Sequence, residues 1–186
     1  NTMTIEDCLF FDNVGLGGAE GKSVYVSGGS NVFFTGSNVA DGILSRDEST
    51  LTFGAESVNE VIDYIAWEDS SSISFDLDIL NTTASLESPS TLELHGALSI
   101  LNNSLSLLDS HVGLIIPLVK ASSLEGSFDS TVMPIMPEGL GLQLVEYPAL
   151  RGGDTEMAVE VIEVEGAQFA NPFAGGLDSP PIDITS

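Results

Sequence analysis

A five-residue phrase recurs through the first half of the chain. It reads Asp7-Cys8-Leu9-Phe10-Phe11, Ser30-Asn31-Val32-Phe33-Phe34, Ser49-Thr50-Leu51-Thr52-Phe53, Ser71-Ser72-Ile73-Ser74-Phe75 and Ser90-Thr91-Leu92-Glu93-Leu94. The starts, at residues 7, 30, 49, 71 and 90, are 23, 19, 22 and 19 residues apart. Each phrase opens on a small polar residue and is apolar at its third and fifth positions. That alternation is a short strand with one buried and one wet face. A strand every ~20 residues, with turn formers between, is the period of a stacked solenoid, in which each repeat buries its apolar face only against its neighbours.

The intervening residues suit the corners of such a stack. Gly15-Leu16-Gly17-Gly18-Ala19, Ser27-Gly28-Gly29, Gly36-Ser37-Asn38 and Asp41-Gly42 reach positive φ at little cost. Ser23 to Val26 and Ile43-Leu44 are candidates for further strands within a repeat. Parallel stacking would place Val32, Leu51, Ile73 and Leu92 in one internal column, and Phe34, Phe53, Phe75 and Leu94 in the next. Ser57 to Trp67 mixes helix-like spacing with β-branched residues and is read as a strand-rich coil, with a short helix as the alternative. The alternation tightens from residue 91. Val112 to Val119 reads as a buried strand, and Leu124 to Phe128 as the opening of another. Pro134 and Pro137 mark a loop, because neither can donate to a ladder. Leu140 to Tyr147 and Met157 to Val164 then read as an antiparallel pair closing the open end. The division expected is 1–110 for coils, 111–166 for the terminal coil and capping strands, and 167–186 for an extended Pro/Gly tail or linker. The fold class is thus all-β: a parallel β-helix with a C-terminal β-hairpin cap.

The charge narrows the range of partners. Four basic residues stand against 28 acidic ones, for a formal net charge of −24. So few cations cannot neutralise a phosphate backbone, which excludes nucleic acid as a partner. Anionic membrane surfaces are disfavoured for the same reason. With 42% hydrophobic residues the chain can nevertheless bury a real core. Cys8 is the only cysteine, so an intrachain disulfide and a thiolate metal cluster are both excluded. No apolar run reaches the length of a membrane span; the longest, Leu114 to Val119, contains Pro117. A chain opening on Asn1 is expected to be processed or a piece of a longer protein.

Candidate chemistry is sparse. Asp76 and Asp78, two apart on a strand, share a face and stand ~6.5 Å apart by strand rise. Glycoside chemistry uses carboxylate pairs at such separations, and Trp67 supplies an aromatic platform for a sugar. These three residues are the carbohydrate-binding candidates. The four basic residues are scattered, and neither His95 nor His111 sits beside a nucleophile elbow, so the chain is not expected to be an enzyme. No cofactor is expected. Calcium is the one ion the acidic surplus would admit, through several carboxylates and loop carbonyls, although no calcium-loop motif marks its residues. Sequons at Asn81-Thr82-Thr83 and Asn102-Asn103-Ser104 make Asn81 and Asn102 glycosylation candidates.

Two stretches resemble known surface proteins. Phe10-Phe11-Asp12-Asn13 followed by Gly17-Gly18-Ala19 resembles the FxxN and GGA signatures of polymorphic outer-membrane protein repeats. Phe34 to Asn38 with Asp41-Gly42-Ile43 is a degraded copy. The stretch from Leu92 to Val164, with Leu124-Glu125-Gly126-Ser127-Phe128 and the Pro134 to Leu140 segment, is similar to the C-terminal end of autotransporter-type secreted β-helix proteins. The resemblance implies that the parallel β-helix is right-handed, and it implies secretion and a role in adhesion or surface scaffolding; it carries over no catalytic residues. The expected function is an extracellular structural module of a surface adhesin, sheath or filament. Its partners would be other copies of itself, surface proteins or glycans. The alternatives are a carbohydrate-binding or carbohydrate-processing β-helix and a calcium-binding matrix protein.

Overall fold

The computed structural model describes residues 1–10, 24–80, 82–103, 111–148 and 154–164. These residues form fourteen strands and no α-helix. In chain order they are β1 (Thr2–Glu6), β2 (Leu9–Phe10), β3 (Val24–Val26), β4 (Asn31–Thr35), β5 (Ser37–Ser45), β6 (Thr50–Phe53) and β7 (Val58–Trp67), then β8 (Ser72–Asp76), β9 (Leu86–Leu94), β10 (Ala97–Leu101), β11 (Ile115–Gly126), β12 (Ser130–Val132), β13 (Leu140–Pro148) and β14 (Thr155–Glu163). They make two sheets. One has the order β1-β4-β6-β8-β10-β12, with every neighbouring pair parallel. The other runs β13-β14-β11-β9-β7-β5-β2, with β3 also on β5. It is parallel as far as β11, and β14 and β13 then join it antiparallel. From β4 to β12 successive strands alternate between the two sheets.

The apolar positions of the recurring phrase face inward. Val32, Leu51 and Ile73 lie in one cross-strand column, as do Phe34, Phe53 and Phe75. The three phenyl rings stack at centroid separations of 5.1 and 5.3 Å, close to the strand spacing that fixes them. Ile5 extends this column on one side and Ile100 on the other. The larger of two apolar clusters among the described residues draws on both sheets. From the second sheet it includes Ile43, Val61, Ile65, Leu86, Leu92, Ile116 and Val159.

Several expected placements differ. Leu92 and Leu94 are buried, but on β9 in the second sheet; Leu98 and Ile100 of β10 take the column positions beside Ile73 and Phe75. The N-terminal strands divide between the two sheets. β1 pairs with β4, while Leu9 and Phe10 join the second sheet beside Val39 and Ala40. Both sheets bury alternate residues, so the alternation alone cannot say which sheet a strand enters. Leu124 to Phe128 does not open a new strand: Leu124 to Gly126 is the end of β11, which starts at Ile115 rather than Val112. The segment from Ser57 is a strand. Its three-and-four spacing comes from a bulge, with Val61 opposite Ala40 and Tyr64 opposite Gly42, so that Ile62 and Asp63 share Asp41. The expected antiparallel pair is β13 with β14, in continuous register from Leu140↔Glu163 to Pro148↔Thr155. The expected tail at 167–186 lies wholly outside the described residues.

Corner glycines set the turns between sheets. Gly96 joins β9 to β10 at φ 64°, and a Cβ there would lie 2.6 Å from the Ser71 carbonyl oxygen. Only glycine fits both the left-handed backbone and that close approach.

Candidate functional site

The carbohydrate candidates occupy different environments. Trp67 ends β7 with its side chain in the core, 1% exposed. Its ring stacks on His95 at 5.7 Å and on Phe128 at 6.2 Å, and its Nε1–H donates to the His95 carbonyl at 2.7 Å. This ring locks the corner where β7 and β9 end, and a covered ring has no face to offer a sugar. Asp76 closes β8, and only 7% of it is exposed. Its two oxygens accept from the backbone N–H and the Nδ2 of Asn103, both at 3.1 Å. Asp78 lies beyond the strand and accepts from the Leu80 N–H at 2.8 Å, a local turn bond. Asp76 thus ties β8 to the bend after β10, while Asp78 shapes its own turn. Of the glycosylation candidates, Asn102 is half-exposed in the bend after β10, and Asn81 lies outside the described residues. Among the described residues no group of three or more His, Cys, Asp or Glu side chains is placed to hold a metal ion. No described helix is long and apolar enough to cross a membrane.

Four acidic residues, Glu60, Glu87, Asp154 and Glu156, gather along the second sheet around Lys120. Cross-strand register places Glu60 beside Glu87, Glu87 beside Lys120, Lys120 beside Glu156 and Glu156 beside Tyr147. Lys120 Nζ also lies 3.7 Å from Asp154 Oδ2. Glu60, Glu87, Ser88, Pro89, Lys120 and Asp154 line a shallow depression of about 160 Å³. Burial, the hydrogen bond its hydroxyl donates to Glu156 and the charge of that carboxylate together raise the Tyr147 pKa to about 12. A second open depression lies at the Trp67 corner, lined by Asp69, Glu93, Leu94, His95, Glu125 and Gly126. There His95 Nδ1 stands 2.8 Å from Asp69 Oδ1, and Glu93 and Glu125 are register neighbours. Lys120 and Arg46, the basic residues among those described, both sit in ion pairs, the latter with Glu68 at 2.9 Å. The accessible surface is therefore strongly negative, and it suits cationic groups or neutral polar ligands.

One internal feature went unread in the sequence. Asn38 and Asn59, 4% and 2% exposed, form a buried amide ladder. Asn38 Oδ1 accepts from the Cys8 N–H at 2.9 Å, and Asn38 Nδ2 donates to the Thr35 carbonyl and to Asn59 Oδ1 at 2.8 and 2.9 Å. Asn59 Nδ2 in turn donates to the Ser85 carbonyl at 2.8 Å and to Ser57 Oγ at 3.1 Å. A carboxamide has a donor and an acceptor end, so it can bond to the strand above and the strand below at once. Phe34 precedes its Asn by four residues and Phe53 precedes its Asn by six, and these unequal corner lengths hide the pairing from any fixed spacing.

No family model, curated protein or solved structure matches this chain.

Proposed function

We propose that this chain is part of an extracellular right-handed parallel β-helix, closed by the β13–β14 hairpin, that serves as a structural module of a surface adhesin, sheath or filament. The observation that carries the reading is the six-stranded parallel sheet with apolar columns facing inward from β4 to β10, whose strands alternate along the chain with those of a second sheet. A stack built this way holds each repeat to the next by a full row of backbone hydrogen bonds, so that pulling must break a row at once. Columns of apolar side chains, three stacked phenylalanines among them, add to that resistance. The work such a module does is to hold a shape and to present an acidic face, acting through self-association or through partners on a cell surface. The same surface composition keeps a strand-rich protein soluble between encounters.

Electron microscopy of the protein isolated from its native source tests the reading. Ordered filaments or a lattice support it. Dispersed particles that gain stability in millimolar calcium would replace it with the matrix alternative. Binding to a glycan array, competed by the free sugar, would replace it with the carbohydrate alternative.

A further inference from the structure

We draw no further inference here: the strongest candidate, the open depression at the Trp67 corner lined by Asp69, Glu93, His95 and Glu125, is a cluster of acidic side chains around one imidazole, and nothing in the structure shows what ligand it would hold.

Discussion

Phe53 is the centre of the internal column, and truncating it is the sharpest test of how the stack holds together. Its side chain is 0% exposed, and its ring contacts Phe34 at 5.1 Å and Phe75 at 5.3 Å. Removing a buried phenyl ring costs about 3–5 kcal/mol in lost transfer energy and cavity formation. Each stacked pair adds about 0.5–1.5 kcal/mol beyond burial, and Phe53→Ala breaks two of them. The expected cost therefore sits at or above the top of the truncation range, at about 5 kcal/mol. Phe53→Leu restores most of the volume but neither stack, and should cost about 1–3 kcal/mol. Urea unfolding measures both, with the midpoint falling and the slope unchanged if the native and unfolded states keep their exposed surfaces. A double-mutant cycle of Phe53→Leu with Phe75→Leu should return a coupling of about 0.5–1.5 kcal/mol. A Phe53→Ala cost below about 1 kcal/mol, typical of a surface position, would refute the column as the centre of the core.

Three further outcomes are expected. Asn59→Ala removes two donors and an acceptor from a buried ladder; the Ser85 carbonyl and Asn38 Nδ2 lose partners, and thermal denaturation should show a loss of about 2–3 kcal/mol, whereas a neutral result would mean that water enters the corner. Gly96→Ala imposes a side chain at φ 64° and against the Ser71 carbonyl, so it should cost more than the about 1–2 kcal/mol of a left-handed residue alone, and a stabilised variant would contradict the turn geometry. Tyr147, with its folded pKa raised from 10.0 to about 12, contributes stability that is complete below pH 10.0 and is lost as pH rises through about 12, because the unfolded chain releases the proton first. Ultraviolet titration should show a late phenolate step that Tyr147→Phe abolishes and Glu156→Gln shifts to lower pH; a step unmoved by Glu156→Gln would rule out that carboxylate as a cause.

Much of the core was legible in residues 30 to 75. There the phrase recurs with Val32, Leu51, Ile73 and the three phenylalanines, and each pairs as the spacing implies. The terminal antiparallel pair was legible for the same reason: long two-residue alternation between turn formers. The site candidates were read from residue type, which says what a side chain can do but not whether it is covered. Trp67 could have been a platform or a core ring. Stacking on His95 and Phe128, one from the next corner and one far along the chain, made it a core ring. Asp76 was read as part of a pair with Asp78, yet its partner is Asn103, 27 residues away.

What the sequence determined by itself was local: which residues alternate, where turns fall, how far apart the strands lie, and that the surface would be acidic. Those follow from backbone geometry and solvation, which act within a few residues. The tertiary structure decided which strand enters which sheet. Leu98 and Ile100 rather than Leu92 and Leu94 continue the columns, β1 begins them, and two asparagines separated by an uneven corner meet at 2.9 Å. Such pairings depend on the length and path of every corner at once. A two-residue period is satisfied equally well in either sheet, so only the packing of both sheets together selects among them.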